Sequence, residues 1–229
     1  MSQPPIMRAL ILLSAAWPEQ SLQEWARATM GERDRRLLCL REEIFGGKLE
    51  AATACPKCGE RVELTFNTQD ILVPARSLPD PAEALQVEVA GYQVTHRLPT
   101  SADLLEIAQT GAANGRHALL NRCVETARMG SEVIDPQMLP HDVVNSVVEQ
   151  MASADPQAEV QIAITCPVCT NQWSAPFDIL AYLWSEIEDL AQRMLLEIHA
   201  LASAYGWSEH DILAMSPRRR RLYLDMVGA

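Results

Sequence analysis

Two copies of a Cys-Pro-x-Cys motif constrain the fold of this chain more than any other feature of its sequence. The first copy holds Cys55 and Cys58, the second holds Cys166 and Cys169, and each stands between two short strand-like segments. The segments ACPKCGERVELTF and TCPVCTNQWSAPF are versions of one another, and Asp-Ile-Leu follows each of them. The simplest interpretation is one internal repeat of a small metal-binding hairpin.

The chemistry of paired cysteines predicts a zinc site. Zn²⁺ prefers soft ligands in a tetrahedron, and each Cys-x-x-Cys turn supplies half of such a set from one tight bend. We therefore predict that Cys55, Cys58, Cys166 and Cys169 bind one Zn²⁺ in a split zinc-ribbon-like site, with 107 residues between Cys58 and Cys166. A site of four cysteines leaves no position for water or substrate, so its role is to stabilise the fold.

Three alternatives to one shared site stay open. A thioredoxin-type redox motif is followed by a helix, whereas a strand-like segment follows each pair here. Disulfides need an oxidising compartment, and the apolar run from Ala9 to Ala16 behind Arg8 is too short for a convincing signal peptide, so we interpret it as the first buried helix. Two separate metal sites would each need a histidine, and no histidine stands near either cysteine pair.

The remaining cysteines, Cys39 and Cys123, lie on apolar helical faces and are predicted to be core thiols.

Hydrophobic periodicity predicts an α+β fold that is mainly helical, with small antiparallel β-hairpins. The clearest strand signal is the alternating segment LQVEVAGYQVTHRLP, which predicts a hairpin turning at Ala90-Gly91. Further strands are predicted at 49–53, 61–66, 160–165 and 172–177. A loop or short helix with a Pro-rich connection is predicted after Asp70, and a break at 111–115. The predicted helices cover 22–30 (ended by Gly31), 33–45, 101–110, 116–129, 141–152 and 178–205, with two short helices capped by Ser208 and Ser216.

These elements predict three segments. Residues 1–48 form an N-terminal helical segment, 49–177 a zinc-ribbon-like β module with a hairpin and a helical insertion, and 178–229 a long helix with two short helices. Because the two cysteine pairs lie far apart in the sequence, a shared site would join most of the chain into one interleaved domain with a helical C-terminal extension.

Charge and motif content exclude several function classes. The formal net charge of −11 disfavours general nucleic-acid binding, because phosphate backbones select a basic surface. The one concentrated basic feature is Arg218 to Arg221, which with the short C-terminal helices supports the alternative of a DNA-binding transcriptional regulator.

The sequence contains no phosphate-binding Gly-rich loop and no Gly-x-Ser-x-Gly elbow. The five histidines are scattered, and we interpret His199 as an interface residue. We therefore predict no enzyme activity, no small-molecule substrate and, in the absence of a long apolar run, no membrane span.

The order of motifs resembles a known family. The sequence runs through LREEIFGG, CPKCGERVELTF, GYQVTHRLPTSADLL and CPVCTNQWSAPFDI, and it ends in AYGWSEHDILAMSPRRRRLYLDMV, the most specific stretch. Over nearly its whole length it looks like the baseplate or baseplate-hub assembly proteins of T4-like phages and contractile injection systems.

That resemblance implies a structural or assembly role with other particle proteins (baseplate, hub or tape-measure) as partners. It also implies a location in the bacterial cytoplasm, either free or incorporated into the injection particle. It supplies no catalytic residues.

Two expectations separate the leading functions. A structural protein should expose apolar side chains on the helix from Asp178 to Tyr205 or on the C-terminal pair of helices, beyond what its own core covers. A DNA-binding regulator should instead present Arg218 to Arg221 together on one exposed face.

Overall fold

A computed structural model of the chain describes residues 3–74, 84–111 and 115–228, and it confirms the predicted α+β class. The chain divides into two compact units, Met1–Leu180 and Ala181–Ala229, and the predicted division into three segments stays a prediction. Most of the predicted Pro-rich connection and the centre of the break at 111–115 lie outside the described residues.

The helices are α1 (Pro5–Ala16), α2 (Leu22–Arg27), α3 (Met30–Phe45), α4 (Thr68–Ile71), α5 (Ser101–Thr110), α6 (Gly115–Cys123), α7 (His141–Ala154), α8 (Ile179–Tyr205), α9 (Glu209–Ala214) and α10 (Pro217–Val227). The strands are β1 (Lys48–Ala54), β2 (Arg61–Asn67), β3 (Leu85–Val89), β4 (Tyr92–His96), β5 (Val124–Met129), β6 (Glu132–Val133), β7 (Gln161–Thr165) and β8 (Gln172–Pro176). In the described ranges, no helix combines the length and the apolar character that crossing a membrane requires.

The first unit begins with packed helices α1, α2, α3 and α5. Leu10 and Leu13 of α1 and Leu37 and Leu38 of α3 are fully buried, which confirms the first apolar run as a buried helix. Burying such a side chain contributes roughly 1.5–3 kcal/mol, so these leucines account for much of the stability of this layer.

One predicted helix boundary is wrong. We expected Gly31 to end the second helix, but α2 ends at Arg27 and Gly31 lies in the first turn of α3. The reason is a new N-cap, because the Thr29 hydroxyl accepts a hydrogen bond from the Glu32 N–H at 3.1 Å. The Gly31 N–H donates to Asp155 Oδ2 at 2.9 Å, so this glycine starts a helix instead of ending one.

The predicted hairpin is confirmed as β3 and β4, which pair from Leu85 with His96 to Val89 with Tyr92. Its two turn residues, Ala90 and Gly91, have positive φ angles of 51° and 81°. Two-residue hairpin turns need such angles, because the turn must match the twist of the strands that it joins. The two strands continue into a four-stranded antiparallel sheet in the order β3-β4-β5-β6.

The helix predicted over 116–129 is wrong in its second half. Helix α6 ends at Cys123, and Val124–Met129 forms β5, which pairs with β4. Buried Val124 and Ala127 stand three residues apart, a spacing that suggested a helix. In the structure both side chains join the core under the sheet with Leu120 of α6 and Val143 of α7, so tertiary pairing overrides the local pattern.

The second unit contains most of α8 together with α9 and α10. Leu201, Ile212 and Leu224 form its buried cluster, and the predicted caps are confirmed, since Ser208 and Ser216 each accept a backbone hydrogen bond at a helix start. The apolar side chains of α8 are not all buried. Leu195 and Leu196 are 61% and 70% exposed, and His199 is exposed as well.

Candidate metal centre

The first cysteine motif forms a tight turn between β1 and β2. These strands are in register from Lys48 with Asn67 to Ala54 with Arg61, which leaves Cys55 at the start of the turn. The Cys55 N–H donates to the Glu60 carbonyl at 2.8 Å, and the Gly59 N–H donates back to the Cys55 carbonyl at 2.9 Å. Gly59 has a φ of 76°, so the turn closes through a left-handed residue.

The second motif repeats this turn between β7 and β8. The Cys166 N–H donates to the Asn171 carbonyl at 2.9 Å, and the Thr170 N–H donates to the Cys166 carbonyl at 3.0 Å. Thr170 has a φ of 57°, which matches the left-handed Gly59 of the first turn. The turns are therefore structural equivalents, as the repeat predicts. The sequence does not predict the left-handed conformation of Thr170, because a threonine carries none of the glycine signal that marks such a position.

The repeat stops at the end of the hairpins. Asp70 lies inside α4, where its carboxylate accepts the Asn67 N–H at 2.8 Å, whereas Asp178 directly precedes α8. The two Asp-Ile-Leu segments thus occupy different positions relative to the helices that follow.

The structure brings the four predicted cysteines together. The Sγ atoms of Cys55 and Cys169 are 3.6 Å apart, those of Cys58 and Cys166 are also 3.6 Å apart, and all four lie within 4.8 Å of one another. A tetrahedron with metal–sulfur bonds of about 2.3 Å has edges of about 3.8 Å, whereas a disulfide is about 2.05 Å long. All six cysteines are free thiols, so the cluster has dimensions that suit a metal ion and exceed those of a disulfide.

An apolar cluster supports the thiols from behind. Cys55 and Cys166 are 2% and 1% exposed and pack with Val62 of β2 and Ile164 of β7. Trp173 of β8 lies against the same cluster. Side chains of both hairpins therefore share one apolar cluster, which supports the sulfur atoms.

The thiols compete for protons. Burial raises the pKa of Cys55, but the backbone N–H groups of Cys58 and Lys57 outweigh it and lower that pKa to about 7. At Cys58 the backbone N–H of Glu60 acts in the same direction, yet the neighbouring thiols of Cys169 and Cys166 raise its pKa to about 12. Four sulfurs this close cannot all ionise without a compensating cation, so the cluster can hold a metal ion.

The other predicted site residues lie elsewhere. Cys123 is fully buried as predicted, and burial raises its pKa to about 11, whereas Cys39 is only half-buried. The arginines from 218 to 221 do not share one exposed face, because Arg220 is buried and its Nε lies 3.3 Å from Glu197. The part of the chain that the structure describes holds no second group of metal-ligating side chains.

The fold and the site define a class: an α+β protein in which two repeated hairpins form a closed four-thiol centre able to hold a metal ion. A family model described as T4 bacteriophage base plate protein matches residues 18–183, more than two thirds of the chain. The chain belongs to this family of phage baseplate proteins, as the resemblance in its sequence implied. A baseplate protein is a structural part of a phage particle. No curated protein and no solved structure matches the chain.

Proposed function

We propose that this protein is a non-enzymatic structural or assembly component of a phage-tail-like contractile injection system, acting at the baseplate or its hub. The family match over residues 18–183 is the observation that carries the proposal. Its partners are then other particle proteins of the baseplate, hub or tape-measure type. Assembly takes place in the bacterial cytoplasm, and the protein acts either there or within the finished particle.

The proposal includes a structural Zn²⁺ held by Cys55, Cys58, Cys166 and Cys169. Four thiols within 4.8 Å of one another favour a soft, tetrahedral ion. Because four protein ligands saturate such an ion, it has no open position for a substrate, which agrees with a role in stabilising the fold.

The alternative of a DNA-binding regulator has weaker support. It needs the C-terminal arginines together on one face, and Arg220 instead points into its own unit, where its guanidinium donates to the Met215 carbonyl at 2.9 Å. Salt-dependent binding to duplex DNA that disappears when all four arginines become alanine would restore this alternative.

Deletion of the gene in a strain that makes the injection particle tests the assembly role. We expect incomplete particles or a strongly reduced yield, restored by the gene in trans. Complete, contractile particles in normal yield would refute the proposal. Co-purification of the tagged chain with particles, followed by imaging, then locates it.

Elemental analysis of protein purified without chelators tests the zinc. We expect about one zinc per chain and slow reaction of the four thiols with a thiol reagent. A metal-free preparation with four freely reactive thiols would refute the zinc, and it would leave the assembly role to be decided by the deletion.

A further inference from the structure

The C-terminal unit exposes apolar side chains that its own core does not use. On α8, Leu195 and Leu196 are 61% and 70% exposed, and on α10, Leu222 and Met226 are 54% and 72% exposed. Leu222 and Met226 stand four residues apart and therefore lie on one face of α10. The buried cluster of this unit uses other positions, so folding does not account for this face.

A groove runs beside that face. Leu196 and Ala200 of α8 and Leu224 of α10 line a groove of about 470 Å³. Its charged lining residues include Arg193, Arg221 and Glu197, of which Glu197 lies 3.3 Å from Arg220. Asp225 also lines the groove and stands three residues from Leu222, so the groove and the exposed face of α10 adjoin. Together they form one surface, which we call the C-terminal docking surface.

Two exposed arginines of α10 give this surface positive charge. Arg218 lies in the first turn of the helix, where the helix dipole is already positive, and Arg221 lies about one turn further along. Both side chains are exposed, and neither forms an ion pair with a described residue. Exposed arginines without an ion-pair partner, on a chain with a net charge of −11, can bind carboxylates of another protein.

The family match does not include this surface. It ends at residue 183, close to the start of the second unit at Ala181. The docking surface therefore lies outside the part of the chain that the baseplate family model describes.

We infer that the C-terminal docking surface binds an amphipathic helix of another particle protein, one whose apolar stripe is flanked by carboxylates. The apolar side chains supply the anchors for a helix in a groove, and the exposed arginines pair with the flanking carboxylates. Phosphate backbones would engage the arginines but leave Leu222 and Met226 without partners. The inference rests on the assembly role proposed above and adds the site and the chemistry of the partner.

Site-specific photo-crosslinking tests the docking surface. A benzophenone side chain replaces Leu222 in the full chain, which is expressed in cells that make the particle, and the cross-linked segment is identified by mass spectrometry. We expect a segment of another particle protein with apolar residues at helical spacing and flanking Asp or Glu. A cross-link to a second copy, a cross-link to DNA, or no cross-link from chain that co-purifies with particles would each overturn the inference.

Matched variants separate docking from folding. Met226→Asp and Arg221→Glu are each expected to lower the yield of the cross-link about tenfold with an unchanged melting temperature. Met138→Asp is the control, because Met138 is 75% exposed in the other unit and should leave the yield unchanged. Equal losses in Met226→Asp and Met138→Asp would overturn the inference. A deletion strain with normal particles refutes the assembly role itself, whereas normal cross-linking in Met226→Asp refutes only the docking surface.

Discussion

Asp155 is buried, forms no salt bridge with a described residue, and caps a helix that lies far from it in the sequence. The side chain is 2% exposed, and its Oδ2 accepts the Gly31 N–H at the start of α3. Burial raises the pKa of this carboxyl, while the Gly31 N–H lowers it. A helix N-terminus favours a negative charge, so α3 repays part of the cost of burial.

Gly31→Ala tests this contact. Alanine normally stabilises a helix relative to glycine, but a Cβ at this position would lie 1.7 Å from Asp155 Oδ1. We expect the variant to lose about 2–3 kcal/mol of unfolding free energy in urea, since the carboxylate must move and lose its donor. Gly115→Ala in the first turn of α6 is the control, because among the described residues its Cβ would meet only Ile107, at 3.9 Å. A Gly31→Ala protein as stable as the wild type would contradict the role of Asp155.

Asp103 is a second buried carboxylate, and it joins three segments of the first unit. It is 3% exposed, forms two hydrogen bonds with Arg97 at 2.7 and 2.8 Å, and lies 3.2 Å from Arg122. Its Oδ2 also accepts the Thr100 N–H in the cap of α5 at 2.9 Å. Burial opposes ionisation, but these donors outweigh it and hold the pKa of Asp103 well below its usual range.

The low pKa of Asp103 predicts a pH dependence of stability. A carboxyl whose pKa is depressed by folding contributes stability above its unfolded pKa of about 4, and the contribution is lost as the pH falls below that value. We expect Asp103→Asn to lower the free energy of unfolding by about 2 kcal/mol at pH 7 and by less at pH 3, measured by urea unfolding at both values.

Glu106→Gln is the control, because Glu106 also pairs with Arg122 but is 55% exposed. We expect it to lower the free energy of unfolding by less than about 1 kcal/mol. Equal losses for Asp103→Asn at both pH values would contradict the role of its charge.

At the scale of elements, the two cysteine turns share one backbone and differ in the residue that closes it. Gly59 adopts its φ of 76° without strain, whereas Thr170 reaches 57° with a branched side chain. The Thr170 hydroxyl donates to the Cys169 carbonyl at 2.7 Å, which offsets part of that strain. The two turns therefore allow glycine and threonine to be compared at the same left-handed position.

Exchanges at these two positions test the origin of the turn geometry. We expect Gly59→Ala to lower the unfolding free energy by about 1 kcal/mol, although no atom of the described residues lies within 4 Å of the new Cβ. Thr170→Gly should leave stability unchanged within about 0.5 kcal/mol, because relief of strain and loss of the hydroxyl contact oppose each other. Thermal unfolding of the metal-loaded proteins measures both. Similar losses in the two variants would show that backbone strain is not the cause.

The elements also show how far sequence reasoning reaches. The hairpin of β3 and β4 was predictable because alternation and a turn dipeptide both appear locally. The strand β5 was not, since Val124 and Ala127 have helical spacing and only pairing with β4 fixes their conformation. In the same way, the spacing of cysteines predicts the members of the four-thiol cluster, while the cap that Asp155 provides for α3 depends on residues 124 positions apart and leaves no local signal.

At the scale of the whole molecule, a metal ion bound by the four cysteines would act as a cross-link in the unit Met1–Leu180. It would join the hairpin of β1 and β2 to the hairpin of β7 and β8, and the 107 residues between Cys58 and Cys166 include the four-stranded sheet and helices α5 to α7. Closing a loop of this length removes conformational entropy from the unfolded chain, in a disulfide by about 4–5 kcal/mol. A bound metal would stabilise the folded chain in the same way, and the metal–sulfur bonds would add further to the free energy of unfolding.

A double-mutant cycle distinguishes one shared metal ion from two separate ones. Cys55→Ser and Cys166→Ser take one ligand from each hairpin, and we expect either change to remove the metal and to cost at least about 4 kcal/mol. With one shared ion the double variant is no less stable than either single variant, because the first change has already removed the cross-link. Two separate ions would instead give additive losses and half the metal content in each single variant. Cys39→Ser is the control, since Cys39 lies outside the cluster and should leave one metal ion per chain. Unfolding free energy and elemental analysis of the same preparations therefore decide between one ion that ties the two hairpins together and two ions that stabilise each hairpin alone.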